Sequence, residues 1–576
     1  MKLSWLKVIS LGVGLYSLGL VLSWGNLAWQ IRQKHWQNLS QSAQLAQITL
    51  QPLRLVTFYH QTEIEVLNQG LSWIMESDRF VQATIGYGQV LWPESAAWTQ
   101  RQSRTLAWQE QFQDWVKLTN QLLERAQTSF WWRLMPLKYR SWPYQQWLTE
   151  AETLVTTLSQ GQKTWLILFQ NSQELRATGG FIGSYAKLDF QEGILTQFEI
   201  QDIYQPDGQF QGFIPAPTGV AEYLSSGQGL RLPDANWWPD FPKSAQTMLQ
   251  YFALGKEQHV IGVAAVNLAL VEDLVRIFGP IQLTDYNVTV TADNLSEVAR
   301  ADRAKFFPGS QQKAHFLSQL FNQLKLRLET AAPEEVLALI KIWSHRAASK
   351  DWQWYSPDEN LAAISRNLGL AGQTSLNPQV FGQITQPENF SLPPLYLELV
   401  ESNVGINKAN SGITREVTLQ LLAVQLQVLI NFTNHHLKPA VTPAELRPDL
   451  VIERRELANG LGYVNYQRLL CSPYLRPASI FVGDQSVANW DEELITLSGV
   501  LVRQIGFMVT LPEASSQRVQ VILELDSSQA PVTNLLTLPA LTIQKQAGLP
   551  PTPYEFFGAN QRHNWVLETD TQILLQ

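Results

Sequence analysis

The chain reads as a protein of several parts, with a membrane helix and a helical stalk leading into a central α/β domain and a β-sandwich-like domain after it. Three observations predict this. Residues 8–24 carry no charge, strands and helices alternate through the middle third, and period-two apolar alternation takes over beyond Pro393 and Pro394. At 576 residues the chain exceeds a typical domain several-fold. We place the boundaries at 1–35 (membrane anchor), 36–160 (helical stalk or bundle), 161–390 (α/β domain) and 391–576 (β-rich domain).

The apolar run from Leu6 to Leu27 nearly matches the roughly 20 helical residues that cross a bilayer core. Lys2 and Lys7 precede it while Arg32, Lys34 and His35 follow, so the distribution of positive charge does not decide orientation. A short N-terminal tail staying inside would put the rest of the chain outside the cytoplasm. No small-x-small cleavage pattern follows Trp24, which favours a retained signal anchor over a removed signal peptide.

Composition narrows the function. With 45% hydrophobic and 16% charged residues and a mean hydropathy of −0.12, the chain is not a multi-span transporter. A net charge of −8 and a pI near 5.6 argue against nucleic acid as a partner, since phosphate neutralisation needs clustered Lys and Arg. Cys471 is the one cysteine, which excludes an internal disulfide and a multi-thiolate zinc site. The 21 Trp residues are read first as packing groups, with ligand stacking as the alternative.

Helical spacing of Trp115, Leu118, Leu122 and Leu123 marks the stalk. The basic aromatic cluster Phe130 to Arg133 and Lys138 to Trp142 suits either packing or a membrane interface. Trp165 to Phe169 opens the α/β domain as a short apolar strand, and Phe181 to Phe190 and Thr196 to Ile200 continue it. Asp240-Phe241-Pro242 has the form of a capped helix start for Lys243 to Leu254. His259 to Val266 reads as a strand, and Leu268 to Phe278 as an amphipathic helix stopped by Gly279-Pro280. Gln312 to Leu328 and Glu334 to Trp343 add helices. Alternation at Val417 to Leu421, Val424 to Phe432 and Val519 to Leu525 supports the sandwich.

The candidate chemistry centres on Asn171 to Tyr185. Paired Gly179 and Gly180, with Thr178, could bring backbone N–H groups against a ligand, and Arg176 could fork onto an anion; the same glycines could equally shape a tight turn. Asp202, Asp207 and Asp240, with Asn236 nearby in sequence, could hold a hard cation such as Mg²⁺ that in turn holds phosphate. The plainer readings are an Asp207-Gly208 turn and an Asp240 helix cap. His435-His436 reads as surface or interface. No Walker loop, zinc-protease motif, nucleophile elbow or Rossmann fingerprint is present.

The run Glu174-Leu175-Arg176-Ala177-Thr178-Gly179-Gly180-Phe181-Ile182-Gly183-Ser184-Tyr185, the segment Asn236 to Pro242, Gly279-Pro280 and the ending Ile543 to Gly548 resemble the bacterial family called domain of unknown function 4012. The resemblance implies a bacterial envelope protein, and the Gln- and Trp-rich style suggests a cyanobacterium. The order of elements is also distantly similar to the LytR-CpsA-Psr phosphotransferases, which move glycopolymers from polyprenyl pyrophosphate carriers to the cell wall. That likeness implies a mixed sheet with flanking helices, Arg176, Asp202 and Asp207 as catalytic candidates, and Thr178, Gly179, Gly180, Asn236 and Asp240 as ligand-binding candidates. Gly179-Gly180 stands where those enzymes have Ser-Asp, so their metal-binding aspartate is not carried over. Two functions follow as expectations: binding or transfer of a lipid-linked glycopolymer, or a non-enzymatic scaffold for envelope proteins or polysaccharide.

Overall fold

The computed structural model describes residues 39–50, 61–129, 132–133, 144–209, 212–225, 227, 229–254, 259–295, 298, 312–377, 391–437, 460–526, 528–558 and 560–575. The expected membrane helix and most of the basic aromatic cluster lie outside these residues. Among the described residues no helix is long and apolar enough to cross a membrane. The chain divides into two compact units, one of residues 1–162 with 190–197 and one of the remainder.

The first unit is helical: α1 (Leu39–Leu50), α2 (Gln61–Gly88), α3 (Trp98–Thr128) and α4 (Tyr144–Leu158). α2 and α3 run antiparallel, as their cross-links show. Trp73 donates to Thr119 at 2.8 Å, Trp115 to Ser77 at 2.9 Å and Trp108 to Thr84 at 3.1 Å. Each indole packs its ring while its N–H finds a hydroxyl on the opposite helix, so the tryptophans serve packing here. Phe80 stacks on Trp115 at 5.3 Å and meets Phe112 at 5.7 Å.

The second unit begins with a five-stranded mixed sheet in the order β3-β2-β1-β4-β7. Its strands are β1 (Gln162–Asn171), β2 (Phe181–Gln191), β3 (Ile194–Asp202), β4 (Val260–Asn267) and β7 (Trp352–Tyr355). β1 and β4 are parallel, and β4 and β7 antiparallel. Helices α5 (Tyr204–Gln209), α6 (Val220–Tyr223) and α7 (Phe241–Leu254) come before β4, and α8 (Leu268–Phe278) follows it. A two-stranded ribbon, β5 (Ile281–Leu283) with β6 (Val288–Val290), precedes α9 (Gln312–Glu329) and α10 (Pro333–Ala348), and α11 (Glu359–Asn367) follows β7.

Leu166 and Leu168 of β1 pack with Phe241, Met248 and Phe252 of α7 on one face. Ile167 and Phe169 pack on the other with Leu317 and Phe321 of α9, where Phe198 stacks on Phe321 at 4.3 Å. Covering both faces is what requires the unbroken apolar run in β1.

Two further sheets enclose one apolar core. The first, ordered β14-β15-β11-β8-β17-β20, takes β8 (Leu395–Asn403), β11 (Tyr463–Cys471), β14 (Asp491–Leu497), β15 (Val500–Leu511), β17 (Ala540–Gln544) and β20 (Thr571–Leu574). The second, ordered β13-β12-β16-β10-β9-β18-β19, takes β9 (Ile413–Leu421), β10 (Gln425–Asn434), β12 (Leu475–Val482), β13 (Gln485–Ser486), β16 (Ser515–Leu525), β18 (Thr552–Gly558) and β19 (Gln561–Leu567). The outer face of the first sheet is covered by the α/β part: Tyr396, Val400 and Leu470 pack with Ala177, and Val464 and Tyr466 with Trp237. Cys471 is fully buried, and burial pushes its thiol up to about 12, so it behaves as a small apolar side chain.

Candidate functional site

The Thr178-Gly179-Gly180 turn lies between β1 and β2 and is closely approached by other parts of the chain. A β-carbon on Gly179, whose φ is +133°, would collide with the Asn267 amide at the end of β4. One on Gly180 would strike the Asn171 backbone, and one on Gly548 would strike the Gly179 carbonyl. Several of its backbone polar groups are taken up as well: Gln353 donates to the Thr178 carbonyl at 3.1 Å, Asn236 to the Gly180 carbonyl at 2.7 Å, and the Gly179 N–H to the Arg176 carbonyl at 3.0 Å. The Thr178 hydroxyl pairs with the Gln170 amide. Glycine is needed here so that other parts of the protein can approach the turn.

Arg176 is 1% exposed. Its Nε donates to Asp234 at 3.0 Å, Nη1 to the Asn403 carbonyl at 2.7 Å and the Leu175 carbonyl at 3.2 Å, and Nη2 to Glu174 at 3.4 Å. Burial acts to lower its pKa, but the Asp234 and Glu174 carboxylates reverse this and hold it above the ordinary value. Its own carbonyl accepts from the Gln546 amide at 3.2 Å. The guanidinium therefore ties the first loop of the α/β part to β8, and its fork is turned on protein carboxylates and carbonyls.

The three aspartates have separate duties. Asp202 accepts from the Tyr204 N–H at 2.9 Å, at the start of α5. Asp207 accepts from Arg231 Nε at 2.9 Å and the Leu232 N–H at 2.9 Å, with Arg231 Nη2 adding a second close bond. The turn expected at Asp207-Gly208 is instead part of α5, because this anchoring orders the segment. Asp240 stands just before α7, yet its carboxylate does not cap that helix. It accepts from the Ser498 hydroxyl at 2.8 and 2.9 Å and from the Thr374 N–H at 3.4 Å, and burial pushes its pKa up to about 6. Asp202, Asp234, Glu174 and Arg176 all act electrostatically on Tyr204, whereas Asp240 faces Ser498 and Lys350. Among the described residues no three of His, Cys, Asp and Glu come together as a metal-ligand set, and Asp202, Asp207 and Asp240 are each taken up by donors of the protein itself.

Residues 160–303 match the family model described as "Protein of unknown function (DUF4012)". This stretch of the chain is a DUF4012 region. No curated protein and no solved structure matches the chain.

Beside the DUF4012 turn lies a cleft of about 440 Å³, to which Gln173, Leu175, Glu272, Arg346, Lys545 and Gly548 contribute. Arg346 is engaged by Asp273 at 2.7 Å and Asp351 at 2.9 Å. Lys545, pushed down to about 8 by burial, donates to the Ser349 carbonyl at 3.1 Å and the Gln546 carbonyl at 2.9 Å. Asp234, Asn403 and Gln546 are the partners that reading the sequence did not single out. Gln546 lies in the ending that carries part of the family resemblance, Asp234 opens the stretch that runs on to Pro242, and Asn403 becomes visible only once the chain is folded. His435 and His436 bond locally, with Thr414 at 2.8 Å and with the Ala409 carbonyl at 3.1 Å.

Proposed function

We propose that the chain is a non-enzymatic scaffold of the bacterial cell envelope, held at the cytoplasmic membrane by its N-terminal segment and carrying its folded parts outside the cytoplasm. On this reading the DUF4012 region is a structural joint, and the protein's surfaces hold envelope proteins or polysaccharide. One observation supports it most. The Arg176 fork, which a phosphotransferase would need for pyrophosphate, is closed on Asp234, Glu174 and Asn403. A layout like that of the LytR-CpsA-Psr enzymes, which the order of elements in the sequence suggests, would then be a frame without their chemistry.

Calorimetric titration of the full chain, in a detergent without sugar, with a polyprenyl pyrophosphate analogue tests this, with and without Mg²⁺. The scaffold reading expects no saturable heat in either condition. Saturable, Mg²⁺-dependent binding that is lost in a folded Arg176→Ala variant would replace it with the glycopolymer-transfer reading.

A further inference from the structure

A second cleft, of about 460 Å³, lies where the sandwich is open between its two sheets. Among the described strands β19 pairs only with β18, and β20 only with β17, so each ends its sheet. Only residues 568–570 separate these two edge strands, which brings both edges to the same side of the sandwich. The lining comes entirely from this pair: Gln561, His563, Asn564 and Trp565 from β19, and Thr571 to Leu574 from β20.

The chemistry of that lining is uniform in one respect: none of these residues is Asp, Glu, Lys or Arg. Trp565 lies half-buried against Tyr554, their ring centroids 5.4 Å apart, and Ile573 and Leu574 add apolar surface. The Trp565 indole N–H is shielded from solvent and has no acceptor among the described residues. Gln561 and His563 bond to one another at 2.9 Å, which aligns an amide and an imidazole along the edge. An indole face with apolar neighbours suits the C–H face of a pyranose ring. Amides and an imidazole suit its hydroxyls, and the absence of charge disfavours phosphate and carboxylate ligands. The volume falls within the roughly 300–1,000 Å³ of small-molecule sites.

We propose that the β19–β20 cleft binds a neutral oligosaccharide, with a sugar ring against Trp565 and its hydroxyls on Gln561, His563 and Asn564. The proposal rests on the scaffold reading for its ligand class, polysaccharide, and names a site for it that needs neither Arg176 nor Mg²⁺.

The test is calorimetric titration of the full chain, in a detergent without sugar, with cellohexaose and with maltohexaose. At least one should bind saturably without Mg²⁺. Trp565→Ala should weaken that binding at least tenfold, while Gln561→Ala and Asn564→Ala should weaken it several-fold and leave the thermal midpoint unchanged. Should Trp565→Ala unfold the sandwich, the two polar variants decide alone. Gln173→Ala, in the other cleft, should have no effect. Failure of a folded sample to bind either sugar, or binding indifferent to the variants, would overturn the proposal. Loss of binding in Gln173→Ala would overturn its location.

Discussion

Glu174 and Asp234 depend on Arg176, because it is the cation that makes their partial burial tolerable. Removing one partner of a buried ion pair leaves an uncompensated charge and costs about 3–5 kcal/mol. Arg176→Ala should therefore lower the unfolding free energy measured by urea denaturation by an amount of that order, and an unchanged value would show that the fork is dispensable to the fold. The glycines allow a sharper comparison. An alanine at Gly179 meets a side-chain amide, that of Asn267, whereas one at Gly180 meets the Asn171 backbone, which has less freedom to give. Denaturation should show Gly180→Ala the more damaging of the two, and the reverse order would mean that the Gly179 backbone conformation outweighs the collision. The need for glycine at both positions was legible in the sequence as a Gly-Gly pair between strands. What presses on them was not, since Asn267 and Gly548 arrive from distant parts of the chain.

At the scale of elements, legibility followed how many faces are covered. β9 and β10 bury one face, and their apolar residues alternate as the sequence reading expected. β8 and β11 are buried along their whole length, between the sandwich core and the α/β part, and offer no such alternation. Polar residues such as Glu398 and Arg468 face the α/β side there, which breaks the apolar run that would otherwise mark a buried strand. Glu398 shows what that position does to a carboxyl group. Burial pushes it up to about 7, while Lys350 and a 2.9 Å bond from the Tyr396 hydroxyl oppose the rise and Asp570 and Asp240 add to it. Asp240 is likewise pushed up to about 6. Both groups take up protons more readily folded than unfolded, so their stabilisation is full below the unfolded carboxyl range and is lost as pH rises through about 6 to 7. The unfolding free energy from urea denaturation should therefore rise as pH falls from 7.5 to 5, by roughly 1–3 kcal/mol per group. Glu398→Gln should flatten that rise, and a rise of full size in the variant would rule Glu398 out as its source. The comparison must stay below pH 8, because Lys545, lowered to about 8, adds a dependence of opposite sign above it.

At the scale of the whole molecule, the α/β part and the sandwich share more than a boundary. Arg468 of β11 is fully buried, stacks over Trp237 at 4.3 Å and donates to the Trp237 carbonyl at 2.8 Å. Arg176 reaches back to the Asn403 carbonyl of β8, and Gln546 closes the same joint by donating to the carbonyls of Arg176 and Glu401. Lys350, in the turn before β7, pairs with Asp570 at 2.9 Å and donates to the Lys545 carbonyl at 3.0 Å. Each of these groups is buried only because the other part is present. Separating the parts would expose Ala177, Trp237 and Trp238 and take the Asn403 carbonyl from Arg176 and the Trp237 carbonyl from Arg468, a loss comparable with the roughly 5–15 kcal/mol that holds a domain together. The DUF4012 region, though recognisable as a unit of sequence, should therefore not be a unit of folding. Residues 160–390 expressed alone should show dispersed tertiary signals in neither near-ultraviolet circular dichroism nor NMR, whereas residues 160–576 should show both and unfold in one transition. A well-dispersed spectrum from the shorter piece would mean that the joint is an interface between independent domains, and would remove the physical reason for assigning Arg176 a structural role.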